Sequence, residues 1–271
     1  MNISAIVIVK NGQDLIADCL DSLSFCDEII VVDGGSNDKT IEIAEKKKAK
    51  VFVHKMQDFS ESRNFGLEKA EGEWVLYVDV DERITSELAT NIKRKIVTDV
   101  NSGISAYKIL RKNYYLGETP WPYIEKLERL FKKDKLKGWQ GKLHESPVVE
   151  GAGLPAGRQV GELEGFMLHY THRDLTSMVN KTLEWSKTEA ELRFQSNHPK
   201  MTWWRFPRVM ITAFLNSYIK QGGYKVGTVG LIESLYQAFS MFITYARLWE
   251  MQNRSKIKDL RSKIKELISK T

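Results

Sequence analysis

Trp74-Val75-Leu76-Tyr77-Val78-Asp79-Val80-Asp81-Glu82 is an apolar run that ends in carboxylates spaced two apart. Its β-branched and aromatic character predicts a buried strand, so Asp79 and Asp81 are expected where that strand leaves a sheet. Alternate residues of an extended chain point the same way, so the two carboxylates would face one point. Such a pair suits a hard divalent cation, which takes one or two protein carboxylates and completes its shell with water and phosphate oxygens. The competing reading is an acidic turn in which Glu82 and Arg83 start a surface helix.

Upstream of this run the chain alternates strands with short helices. Ile3 to Val9 reads as a strand, Asp14 to Leu23 as a helix, Glu28 to Val32 as a strand and Thr40 to Lys48 as a helix. Ala49 to His54 follows as a strand and Ser60 to Ala70 as a helix. This alternation predicts an α/β fold with a mostly parallel sheet and right-handed crossovers. In such a sheet the loops at the strand C-termini are available to a ligand. Two of these loops carry chemistry: Lys10-Asn11-Gly12, and Asp33-Gly34-Gly35-Ser36-Asn37-Asp38. A carboxylate at a strand end accepts from base or ribose donors, and paired glycines admit a nucleotide close to the backbone. An ordinary turn with Ser36 or Asp38 capping the next helix is the alternative. Arg63 stands 16 residues before Asp79 on a helix start, suited to phosphate recognition or to an exposed helix face.

Four ordered motifs together resemble glycosyltransferase family 2, the inverting nucleotide-sugar transferases of GT-A fold: Ile6 to Asn11, Ile30 to Thr40, Ser62 to Leu67 and Gly72 to Arg83. The resemblance implies a Rossmann-like, mostly parallel sheet flanked by helices. It implies that Lys10, Asn11, Asp33, Arg63 and Asp79 bind the nucleotide. It also implies that Asp79, Asp81 and a late His, matched best by His169, hold Mg²⁺ or Mn²⁺. Many members carry a second Asp where this chain has Gly34. Within the family the chain looks most like the lipopolysaccharide core β-glucosyltransferases, which share the Asp-x-Asp-Glu-Arg ending and a later His-Glu element. Here that element is His144-Glu145. An inverting transfer needs a carboxylate to take the acceptor hydroxyl proton, and Glu145 is the candidate base. His144 or Trp139 would line the sugar pocket. Tyr107, Tyr114, Tyr115, Trp121 and Tyr123 crowd the same section as sugar-facing or core aromatics. Lys108 and Arg111 would meet an acidic acceptor or lie on a solvated face.

The chain has 271 residues, a net charge of +6 and only two cysteines, Cys19 and Cys26. That length suits one α/β domain with an appendage, and the cysteine count excludes a disulfide framework, fitting a reducing cytoplasm. The N-terminal stretch has no small-residue cleavage site and reads as the first strand. The basic residues are not interleaved with aromatics on one face, which disfavours nucleic acid.

Residues 1–174 are therefore expected to form the GT-A catalytic domain, with 1–85 as its nucleotide-binding half and 86–174 as its acceptor half. Residues 175–271 are expected to be a helical, membrane-associated extension. The Gly/Pro-rich stretch 151–161 reads as an inserted loop. Gly227 to Ala246 has the length of a membrane span but carries Glu233, and an acidic group at mid-bilayer costs about 2.5–3.5 kcal/mol. An interfacial or packed helix is the preferred reading, with Trp203, Trp204, Arg205, Arg208, Lys220 and Lys225 facing anionic lipid. The tail repeats Ile257, Leu260, Ile264, Leu267 and Ile268 at helical spacing.

The expected activity is inverting hexose transfer, glucose foremost, from a UDP-sugar to a membrane glycolipid or lipopolysaccharide core acceptor. The setting is the inner face of the cytoplasmic membrane. A polyprenyl phosphate acceptor and an inactive sugar-nucleotide-binding scaffold are the alternatives.

Overall fold

A computed structural model describes residues 1–55, 58–99, 102–142, 145–150 and 159–254. His144, residues 151–158 of the expected loop and the amphipathic tail lie outside the described residues. The chain forms two compact units. One comprises Met1–Tyr114 and Tyr123–Thr171; the other comprises Tyr115–Pro122 and the chain from His172 on.

In the first unit, strands and helices alternate as β1 (Ile3–Val9), α1 (Ile16–Ser22), β2 (Glu28–Asp33), α2 (Thr40–Lys46) and β3 (Lys50–Val53). Then come α3 (Phe59–Lys69), β4 (Trp74–Asp79), β5 (Glu82–Ile84), α4 (Ser86–Thr98), β6 (Ile104–Tyr115) and β7 (Thr119–Lys132). A short hairpin of β8 (Leu136–Gln140) and β9 (Ser146–Val149) precedes β10 (Gln159–Tyr170). Eight strands form one sheet in the order β3-β2-β1-β4-β7-β6-β10-β5. β1 pairs parallel with β2 and β4, β2 with β3, and β6 with β10. β7 runs antiparallel to β4, and β5 antiparallel to β10.

The apolar runs of β1 and β4 are continuous because both faces of the sheet are covered. Ile3, Ala5, Val7 and Val9 of β1, with Trp74, Leu76 and Val78 of β4, pack under α1, α2 and α4. Their alternates Ile6, Ile8, Val75 and Tyr77 pack with Ala70, Leu136 and Trp139 on the opposite face. By this two-residue period Asp79 falls on the face of Val75 and Tyr77, the face that α3 covers. Gly66 allows that close approach, since a Cβ there would meet Ile6 Cγ2 at 2.6 Å. Asp58 caps α3 by accepting from Glu61 N at 2.8 Å.

The structure corrects or resolves three sequence readings. Val80 and Asp81 turn rather than extend, and Glu82 begins β5 instead of a surface helix. Tyr107 is buried core, its hydroxyl donating to Asp99 at 2.8 Å. β6 and β7 are much longer than the apolar segments that revealed them.

The second unit holds α5 (Leu175–Gln195), α6 (Arg205–Leu215), a π-helical turn (Asn216–Lys220) and α7 (Gly227–Gln252). Ala190, Met201, Tyr245 and Leu248 form its core. Trp121 is buried here and donates to Gln221 Oε1 at 3.1 Å, so it is not a sugar-facing residue. Glu233, the acid expected to oppose a membrane span, is 1% exposed. It accepts from Gln237 Nε2 at 2.7 Å and faces His172 Nδ1 at 3.0 Å.

Candidate active site

The loops after β1 and β2 are stitched into one rim. Asn11 N donates to Ser36 Oγ at 2.7 Å, Asn37 N to Asn11 Oδ1 at 2.9 Å, and Gly12 N to Thr40 Oγ1 at 2.9 Å. Lys10 and Asn11 are exposed on this rim. Asp33 is wholly buried, and its carboxylate accepts from Gly35 N at 2.9 Å, Ser36 N at 2.7 Å and Ser36 Oγ at 2.5 Å. The side chain expected to meet the nucleotide thus holds its own loop in shape. Gly35 enters the left-handed region at φ 87°, which favours glycine.

Asp79 ends β4 on the α3 side, where α3 brings Arg63. Arg63 Nη2 donates to Asp79 Oδ1 at 2.9 Å, and Arg129 Nη2, from β7, donates to Asp79 Oδ2 at 2.9 Å. Burial pushes the Asp79 carboxyl up, but the Arg129 and Arg63 guanidiniums outweigh it and hold it well below the usual carboxylate range. Arg63 lies over the Trp139 ring at 4.8 Å and the Tyr77 ring at 5.6 Å. Trp139, 8% exposed and packed edge-on against Tyr77, is a platform for Arg63. Arg63 Nε is buried without a hydrogen-bond partner.

The turn after β4 separates the two aspartates, and Asp81 meets a different set of groups. Tyr170 N donates to Asp81 O at 2.9 Å, and β5 sets Glu82 opposite His169. His169 Nε2 then lies 3.2 Å from Asp81 Oδ2, while its Nδ1 lies 2.8 Å from Asn113 Oδ1. Asn113 Nδ2 donates to Glu125 Oε2 at 3.2 Å. Arg111 pairs with that same oxygen at 2.7 Å and with Glu82 Oε1 at 2.9 Å, so it does not lie on a solvated face. Glu82, wholly buried, also accepts from Asp79 N at 2.9 Å and lies 3.5 Å from Arg129. One polar chain therefore runs from Asp79 through Arg129, Glu82, Arg111, Glu125 and Asn113 to His169 and Asp81.

Among the described residues, no three His, Cys, Asp or Glu side chains are grouped to cage a metal ion. Asp81 and His169 do provide a mixed oxygen and nitrogen pair. That number of protein ligands fits Mg²⁺ or Mn²⁺ when phosphate oxygens complete the shell.

Arg129, Asn113 and Glu125 escaped the sequence reading, and the parts that Glu82 and Arg111 play in this polar chain were not foreseen. Arg129 left one trace, a charged residue beside Leu130 and Phe131 in an apolar strand. Glu145 is half-buried at the start of β9 and adds to the negative field at Arg129. A cleft of about 500 Å³ beside α3 is lined by His54, Asp58, Asn64, Trp139 and Lys142, among others. Asp79, Asp81 and His169 lie outside that lining.

The mixed eight-stranded sheet, covered by helices and carrying its polar site at the end of β4, is that of a GT-A fold. The family model described as Glycosyl transferase family 2 matches residues 4–147, more than half of the chain, and the chain belongs to that family. It is 28% identical over 262 residues to an uncharacterised glycosyltransferase of Rickettsia typhi, covering 94% of this chain and 89% of that one. It is 25% identical over 261 residues to the lipopolysaccharide core biosynthesis glycosyltransferase LpsC of Rhizobium meliloti, covering 92% of each. Among solved structures, TarS 1–349 of Staphylococcus aureus in complex with UDP-GlcNAc is similar at TM-score 0.47 and 17% identity, covering 94% of this chain and 92% of that one.

Proposed function

We propose that this family 2 glycosyltransferase moves a hexose, glucose foremost, from a UDP-sugar to a membrane glycolipid or lipopolysaccharide core acceptor, with inversion. The observation that carries the reading is the convergence of Arg63 and Arg129 on Asp79, next to the Asp81–His169 pair. Guanidiniums are suited to phosphate oxygens, and the unpartnered Arg63 Nε is a donor in want of an acceptor. Asp79 gives both its oxygens to arginines, so it serves to fix those guanidiniums. Asp81 and His169, which meet at 3.2 Å, are the ligands that would hold Mg²⁺ or Mn²⁺. Such a cation would offset the charge gained by the departing diphosphate.

In the transfer step the acceptor hydroxyl oxygen attacks the anomeric carbon, and the bond from that carbon to the diphosphate oxygen breaks. The diphosphate leaves with the electron pair, toward Arg63 and Arg129. Glu145 takes the acceptor proton. The likeness to LpsC supports a lipopolysaccharide core acceptor.

The helical unit supports a membrane-surface setting. Gly223–Gln252 is long and apolar enough to cross a membrane, and 28% of its most apolar stretch is buried. Trp203, Ile211, Leu215, Ile219, Leu235 and Phe239 are exposed, and between Glu191 and Glu233 the sequence holds no acidic residue. Apolar and cationic residues without acids suit an anionic bilayer interface.

The test is a panel of UDP- and GDP-sugars incubated with purified protein, Mn²⁺ or Mg²⁺, and lipopolysaccharide core or polyprenyl phosphate acceptors. Transfer to the core acceptor is expected. Asp81→Ala should lower it by about 100-fold or more, and Glu145→Gln should lower kcat by about 10²–10⁴-fold. Failure to bind or hydrolyse any sugar nucleotide, or full transfer by Asp81→Ala, overturns the reading.

A further inference from the structure

We propose that Glu125 and Asn113 are positioning residues that hold His169 as its Nδ1–H tautomer, so that the Nε2 lone pair is presented with the Asp81 carboxylate to a divalent cation. The proposal rests on the cation reading above and extends it to two residues that touch neither the cation nor the donor.

The direction of the relay follows from which groups can donate. Glu125 Oε2 accepts from Arg111 Nε at 2.8 Å, with Arg111 Nη2 at 2.7 Å. Burial pushes the Glu125 carboxyl up, but Arg111 outweighs it and holds it below its ordinary value. Glu125 is therefore ionised at neutral pH, and an ionised carboxylate only accepts. Asn113 is 4% exposed, and the end of its amide facing Glu125 must be the NH₂. Its carbonyl oxygen is consequently the atom that faces His169 Nδ1 at 2.8 Å. A carbonyl oxygen has no proton to give, so Nδ1 carries one and donates it. A neutral imidazole has one proton, which leaves Nε2 with its lone pair toward Asp81 Oδ2 at 3.2 Å. The Asp81 carboxylate also only accepts, so this contact is bridged either by a second proton on Nε2 or, in its place, by a cation that accepts both oxygen and imidazole nitrogen.

Strand register makes this arrangement rigid. β10 sets His169 beside Asn113 of β6 and opposite Glu82 of β5. Arg111, two residues before Asn113 on β6, ties Glu125 to the wholly buried Glu82. Fixing the imidazole from the side away from the ion is a general device of metal sites, and losing it typically costs about 10–100-fold in metal affinity.

The test reads the tautomer directly. Long-range ¹H–¹⁵N spectra of histidine-labelled protein, at alkaline pH with the imidazole neutral, are assigned for His169 by its loss in His169→Gln. Wild type should show the Nδ1–H pattern. In Glu125→Gln the new amide can donate or accept, so Asn113 is free to turn over. His169 should then populate the Nε2–H form, and Mn²⁺ affinity, followed by EPR titration with UDP present, should fall by about 10–100-fold. An Nε2–H pattern in a wild type that binds Mn²⁺ overturns this proposal alone. So does a Glu125→Gln protein that retains both tautomer and affinity. A wild type that binds no Mn²⁺ overturns the cation reading and this extension together.

Discussion

Asp79 illustrates how much a single side chain owes to partners remote in sequence. Its Arg63 contact spans 16 positions and its Arg129 contact 50. The first lay within the stretch of motifs from which the site was inferred, whereas the second depends on β7 pairing with β4. Arg129→Met should destabilise the fold by about 3–5 kcal/mol at neutral pH, because it leaves Asp79 and the buried Glu82 short of a counter-charge. The pH dependence has a definite sign. The native Asp79 pKa is lowered, so its stabilising contribution is full above the unfolded value of about 4 and is lost as pH falls through the native value. The gap between wild type and Arg129→Met in urea unfolding should therefore narrow as pH drops below about 4. A gap independent of pH would show that lost packing, not charge, causes the defect.

The elements were legible where apolar periodicity is strong. β1, β2, β4, α3, α5 and α7 lie close to where the sequence places them, because each buries a regular face or run. β6 and β7 were read short, since charged residues such as Arg111 and Glu125 pair across the sheet and break the apolar pattern; β8, only five residues long with a central glycine, was missed. Close backbone approach is likewise invisible to hydropathy. In α7, a Cβ on Gly230 would lie 1.8 Å from Gly223 O, a clash with backbone that no side-chain rotation relieves. Gly230→Ala should lower stability by about 2–3 kcal/mol or more in thermal or urea unfolding. Unchanged unfolding would mean that the turn before α7 moves freely.

Tyr115–Pro122, where β6 ends and β7 begins, groups with the chain from His172 on. If the helical unit meets an anionic bilayer, removing exposed cations should weaken it by about 1 kcal/mol each. Arg208→Gln with Lys220→Gln should then reduce sedimentation with phosphatidylglycerol vesicles by roughly 30-fold, with little effect on the weak binding to neutral vesicles. Equal binding of wild type and double variant would exclude charge-led docking on this surface. The amino-acid order alone sufficed for the α/β alternation, the family motifs and the acidic turn after β4, because hydrophobic period and short motifs are local properties. Tertiary structure decided the rest. Asp33 shapes its own loop, Asp79 anchors two arginines, and Asp81 faces His169. Strand pairing alone brings residues 79, 82, 111, 113, 125, 129 and 169 into one polar chain.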